Sequence, residues 1–267
     1  MIDTALLNLL PPLRRARGDR FYGADQKHWV DLWKQDGLWL LGRRPEGVAK
    51  EWKIQLDKGL AGWLPSHWPR RLEPLIRQLL PETAAVRLFR NADRALSFLG
   101  GEEVRRSAVW RPWDDQLPPS KRTTYQGVLW PVLPTGPAQA VVLAFSTSWG
   151  GKLPENDAMS PAEAASLVQA AAQILRFTKD PRAIEARAAV GSSFDHHLGP
   201  SGVFLRQGIW FRPTVKRDEF VALFKAMLAA GFVLNPDYEA PGVIPELSPG
   251  EWASWKTATE QWAKERT

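Results

Sequence analysis

The sequence has no cysteine among its 267 residues. Disulfides, thiolate metal sites and cysteine nucleophiles are therefore excluded. No apolar run reaches the roughly 18 residues that a membrane helix needs, so no membrane partner is expected. Met1 to Leu10 is apolar, yet it lacks the basic flank and small-residue cleavage site of a secretory leader. The expected compartment is the cytoplasm. Histidine is scarce, with four residues. Asp195-His196-His197 reads as a solvated Gly-flanked loop, and no metal site is expected. There is no internal repeat and no low-complexity tract.

Tryptophan is what the chain has in excess: fourteen, against three tyrosines. Its large apolar body and single N–H donor suit cores and interfaces. Hydrophobic content of 44% and charged content of 24% are ordinary for a globular protein. The net charge of +6 is uneven. Residues 1–133 hold 22 Lys and Arg against 15 Asp and Glu, and residues 134–267 hold 13 against 14. The basic residues are scattered among acids rather than blocked, so they read as a solvated surface, and nucleic acid is not an expected partner.

Apolar periodicity and turn residues predict the elements. Ala5 to Arg17 reads as a helix interrupted at Pro11-Pro12, and Phe21 to Trp33 as a hairpin around Ala24-Asp25-Gln26. A helix is predicted over Pro45 to Leu60, with Val48, Trp52, Leu56 and Leu60 on one face. A second is predicted over Ser66 to Leu80, capped by Ser66. A strand at Val86 to Phe89 and a short helix at Asn91 to Leu99 follow. Strands are expected at Ser107 to Trp113, Gly127 to Leu133 and Gln139 to Phe145. Ser160, Pro161 and Glu163 form a capping box for a helix reaching Phe177. A helix from Pro181 to Val190, a strand within Val203 to Phe211, and helices over Asp218–Ala230 and Ser248–Lys264 complete the pattern. Strands alternating with helices predict an α/β class.

Two segments carry a resemblance. The first runs Asp25-Gln26-Lys27-His28-Trp29-Val30-Asp31-Leu32 and then Gln35-Asp36-Gly37-Leu38-Trp39-Leu40-Leu41-Gly42-Arg43-Arg44-Pro45. The second runs from Phe220 through Gly231 to Asn235-Pro236, and on to Glu239-Ala240-Pro241-Gly242 and the helix start at Ser248. Together they resemble the small-domain segments of class III aminotransferases, the pyridoxal-phosphate (PLP) family of glutamate-1-semialdehyde aminomutase. The resemblance implies a reduced PLP-transferase scaffold of the aspartate aminotransferase type, with a small domain built from both chain ends. Residues 17–99 and 202–262 would form that domain with the start of the large one, and residues 100–201 a shortened large-domain remnant. It also implies a homodimer.

The middle departs from the family. The family's Asn-Ser-Gly-Thr-Glu-Ala phosphate motif falls at Phe89-Arg90-Asn91-Ala92-Asp93-Arg94-Ala95, where only Asn91 and Ala95 match. The family histidine is Arg43. No aspartate ends the strand Gln139–Phe145. The one lysine near a glycine-rich turn is Lys152, in Trp149-Gly150-Gly151-Lys152, with its glycines on the wrong side. PLP chemistry needs an imine lysine and an electron sink together. No cofactor is therefore expected, and the chain reads as a non-catalytic pseudoenzyme that binds a ligand or a protein. The alternative is a PLP-dependent aminotransferase or aminomutase with relocated catalytic groups. Trp29, Trp33, Trp39 and Arg43 are the candidate pocket for a small molecule or a partner chain. A hydrophobic core is the competing reading for the tryptophans.

Overall fold

The computed structural model describes residues 3–99, 108–114, 125–198 and 201–265. They fall into two compact units. One comprises Met1–Arg43, Trp113–Asp115 and Pro181–Thr267, and the other Arg44–Pro112 and Gln116–Asp180. The boundary between Arg43 and Arg44 divides the segment 17–99: its first part joins the carboxy-terminal elements, and the rest joins the middle of the chain.

In the first unit, a short helix α1 (Thr4–Leu7) precedes strands β1 (Leu13–Arg17), β2 (Arg20–Gly23) and β3 (His28–Asp31). Of the helix predicted over Ala5 to Arg17 with a break at Pro11-Pro12, only one turn forms, and it ends at Leu7 ahead of the prolines. Beyond them the chain is extended and pairs antiparallel with β2, turning at Gly18, where φ is +54°. The predicted hairpin is present as β2–β3. Strand β3 also pairs in parallel with β10 (Phe232–Val233), matching Val30 with Phe232, so the sheet runs β1-β2-β3-β10. This pairing joins the two chain ends.

A second sheet is formed by β8 (Phe204–Gln207), β9 (Trp210–Pro213) and β11 (Gly242–Val243). The single strand predicted over 203–211 is a hairpin, because Gly208 at φ +61° reverses the chain. Helix α6 (Pro181–Leu198) runs past Val190, so His196 and His197 lie in its last turn rather than in a loop. It belongs to this unit through Phe194. Helices α7 (Arg217–Ala229) and α8 (Pro249–Lys264) complete it. Ser248 and Glu251 form the capping box of α8.

The core of this unit is aromatic. The Trp255 ring lies 5.0 Å from Phe232, 5.1 Å from Phe204, 5.9 Å from Phe211 and 6.0 Å from Phe194. Offset and edge contacts at such spacings favour aromatic pairs beyond the area they bury. Much of the tryptophan excess is core: Trp29, Trp33, Trp68, Trp210, Trp252, Trp255 and Trp262 are all buried.

A clamp ties β2 to α8. Arg20 donates Nε–H and Nη2–H to the two Glu251 carboxylate oxygens at 2.8 and 2.6 Å. Burial pushes the Glu251 carboxyl up, but hydrogen bonds from Arg20 and Ser248 outweigh it and hold the group below its ordinary value. A depressed native pKa contributes stability above the unfolded value, which is lost as pH falls through the native one. Acidification below about pH 4 should therefore destabilise the protein more than its Glu251→Gln variant. Urea midpoints between pH 3 and 7 check this, and parallel acid limbs would contradict it.

The second unit holds α2 (Glu46–Asp57), α3 (Trp68–Leu79), β4 (Thr83–Phe89), α4 (Ala92–Ser97), β5 (Val109–Trp110), β6 (Val128–Pro131), β7 (Val141–Ser146) and α5 (Pro161–Lys179). Its sheet runs β4-β7-β6-β5. Strand β7 is buried at every position, matching its unbroken apolar sequence. Ser160 and Glu163 make the predicted capping box of α5.

Two expectations shift here. Helix α3 begins at Trp68 after His67, with no side-chain cap, so Ser66 is not its N-cap. In α2, Val48 is fully buried while Leu56 is 45% exposed. A four-residue step overshoots the 3.6-residue turn by about 40°, so a strict every-fourth stripe drifts off the core face. Among the described residues no helix is long and apolar enough to cross a membrane, and no group of three or more His, Asp or Glu could hold a metal ion.

Candidate functional site

The head of α4 is where the phosphate motif of the resembled family falls. Asn91 is its N-cap: the side-chain oxygen accepts the Asp93 N–H at 2.7 Å. The backbone N–H just ahead of the N-cap is also taken. Asp157 Oδ2 accepts the Arg90 N–H at 2.9 Å, and Asp157 Oδ1 forms an ion pair with the Arg94 guanidinium. The Asp157 side chain is only 12% exposed. A carboxylate of the chain itself thus sits on the backbone N–H and the cation that an incoming anion would use.

Asp157 is delivered by the loop between β7 and α5, which is stitched along the edge of β4. Asp157 N–H donates to the Leu88 carbonyl at 2.9 Å, and Leu88 N–H to Asn156 Oδ1 at 2.8 Å. Arg87 Nε–H donates to the Pro154 carbonyl at 2.7 Å. The same loop carries Lys152, which is exposed. Strand β7 ends at Ser146, whose hydroxyl accepts the Gly127 N–H at 2.9 Å and lies 2.7 Å from the Ser148 hydroxyl. No acid closes that strand.

These residues do not fit PLP. The phosphate position meets a carboxylate, the strand that should carry a pyridine-nitrogen acid ends in serine, and Lys152 is a surface residue.

The second candidate group lies in the first unit. Trp29 and Trp33 pack with Phe21 and Val233 in one buried cluster, at 7% and 8% exposure. Both side chains are thus packed into the core of this unit, Trp29 from β3 itself and Trp33 from just beyond it. Trp39 is partly exposed, and its indole N–H donates to Gln35 Oε1. The Arg43 guanidinium stacks 4.5 Å from the Phe21 ring centroid and 5.4 Å from that of Trp39. Its Nε–H donates to Asp31 Oδ2 at 2.7 Å and its Nη1–H to Gln35 Oε1 at 2.9 Å. Arg43 thus links Phe21, which packs with Trp29 and Trp33, to Trp39, and serves as a structural cation.

The turn that links them was not visible in the sequence. Lys34, Gln35 and Asp36 have φ of +52°, +45° and +57°, ahead of Gly37 at +97°. Three successive non-glycine residues in the left-handed region cost about 1–3 kcal/mol each. Surrounding bonds fix them. Lys34 N–H donates to Asp31 Oδ1 at 2.9 Å, and the Lys34 ammonium, 1% exposed, pairs with Asp19. Asp36 Oδ1 accepts the Asn235 side-chain amide at 2.7 Å. The Asp36-Gly37 pair was the one available signal, since it is turn chemistry.

Comparison with known proteins follows the same lines. The fold is that of the class III PLP-dependent aminotransferases, in a small, 267-residue version. An ω-transaminase from Sphaerobacter thermophilus matches with a TM-score of 0.69 and 10% identity, over 95% of this chain and 91% of that one. An acetylornithine aminotransferase from Elizabethkingia anophelis matches with a TM-score of 0.65 and 12% identity, over 95% and 93%. At such identities the fold is what is shared. In sequence, the chain is 25% identical to an uncharacterized protein of Treponema pallidum, over 88% of this chain and 89% of that one. It is 20% identical to one of Borreliella burgdorferi, over 96% and 93%. No protein-family model matches.

Proposed function

We propose that this chain is a non-catalytic protein on an aminotransferase fold, acting through binding rather than transamination. The observation that carries the reading is Asp157. Its carboxylate holds the Arg90 N–H and Arg94 at the head of α4, where a cofactor phosphate would need those same donors. A second anion there would face like-charge repulsion. The expected result of incubating the protein with PLP and borohydride is no stoichiometric adduct at any single lysine. Peptide mapping reads this out, and a full adduct at Lys152 would overturn it.

One observation favours the alternative of relocated catalytic groups. Lys34 is a buried lysine, 1% exposed, and low-dielectric sites are where imine-forming lysines are found. Asp19 already engages its side-chain nitrogen, which would have to leave that partner to form an imine. A trapped adduct at Lys34 would support this second reading.

Self-association belongs to the first reading. Trp39 and Arg43 are the members of the candidate group with surface left, and both residue types are enriched at interfaces. The proposed dimer buries them. Sedimentation at micromolar concentration showing only the 30.0 kDa species would remove this part of the proposal.

A further inference from the structure

Strand β1 differs from every other strand described: all five of its residues are exposed. Its sequence is Leu13-Arg14-Arg15-Ala16-Arg17. It pairs with β2 on one side only, and no backbone hydrogen bond reaches its other side among the described residues. Its outer edge therefore presents unpaired N–H and C=O groups, a template for one more strand.

The arginines decide what can use that template. The acids of the adjoining turn and helix are already engaged: Asp19 by Lys34, and Glu251 by Arg20. Arg14, Arg15 and Arg17 make no ion pair among the described residues. Arg15 alone has a ring contact, 5.7 Å from the Tyr22 centroid. By the strand period of two, Arg15 and Arg17 share one face, and the irregularity between Leu13 and Arg15 sets Arg14 apart.

We infer that the β1 edge is a docking surface for an extended acidic segment of a partner polypeptide, which adds to the sheet as a strand. Acidic side chains two residues apart on that segment lie opposite Arg15 and Arg17, where opposite charges across strands stabilise pairing. A second copy of β1 is disfavoured by the same geometry, since it would set arginine against arginine. Nucleic acid fits less well than a peptide. A phosphodiester chain uses the guanidinium groups but leaves the row of carbonyls on the edge without donors. Basic edge residues are known to discourage edge-to-edge association. Here they act as a charge filter, which admits acidic strands and rejects basic ones.

The test uses the full chain and an end-capped fluorescent peptide of alternating glutamate and valine, read by anisotropy. The Glu-Val peptide should bind. Arg15→Glu with Arg17→Glu should weaken it about ten-fold or more, and a Lys-Val peptide should bind the double variant better than the native chain. N-methylation of alternate peptide amides should also weaken binding about ten-fold, because it removes the backbone pairing. The N-methyl comparison uses the native chain, so it decides the matter even if the double variant misfolds. Equal binding of the N-methylated peptide would overturn the inference. So would tighter binding of a single-stranded oligonucleotide of matched charge, or no binding of the Glu-Val peptide.

Discussion

Trp255→Ala is expected to lower stability by about 3–5 kcal/mol, the range for emptying a buried aromatic site. Trp255 is 1% exposed, and four phenylalanine rings contact it from β8, β9, β10 and α6. Those elements come from three separate stretches of chain, so the cavity cannot close by one local shift. Trp63→Ala is the matched control, because Trp63 is 66% exposed and a surface change of this kind stays within about 0.5 kcal/mol. Chemical denaturation followed by circular dichroism measures both. A Trp255→Ala loss below about 1 kcal/mol would mean that the aromatic cluster does not hold this unit together.

Asp31→Ala should cost a similar amount by a different mechanism. Asp31 is fully buried and accepts both the Lys34 N–H and the Arg43 Nε–H. Removing it leaves the guanidinium, 11% exposed, with Gln35 as its one hydrogen-bond partner among the described residues, where Arg43 Nη2 already has none. Breaking one side of a buried pair typically costs about 3–5 kcal/mol. It also frees the backbone of the left-handed turn. Asp31→Ala combined with Arg43→Met should recover part of the loss, because the uncompensated charge is then gone. If the double variant is no more stable than the single one, the network is not the source of the effect.

Part of this architecture could be read from the amino acids. The capping box at Ser160, the helix start at Ser248 and the apolar run of β7 are local signals, and each lies where it was expected. What could not be read depends on partners distant in the chain. Leu13–Arg17 has no strand signature, and becomes extended because Arg20–Gly23 is available to pair. Leu56 lies on the predicted stripe of α2 but points to solvent. Asp157 attracts no notice in the sequence, since its meaning comes from Arg90 and Arg94, more than sixty residues earlier. The tryptophans illustrate both sides. Their number suggested a core or an interface, and only packing separates Trp29 and Trp33, which are core, from Trp39.

The parallel pairing of β3 with β10 sets an order of events during synthesis. The second unit is nearly contiguous, from Arg44 to Asp180, and can collapse once that stretch leaves the ribosome. The first unit cannot. Val30 must wait for Phe232, about 200 residues later, which at translation speeds of about 5–20 residues per second is on the order of 10–40 s. For that interval Phe21, Trp29 and Trp33 have no Val233 to pack against, and their nascent hairpin is a sticky surface. The three arginines of β1, which make no ion pair among the described residues, border that hairpin. On a polysome they would keep neighbouring nascent chains apart by charge until the carboxy-terminal strand arrives.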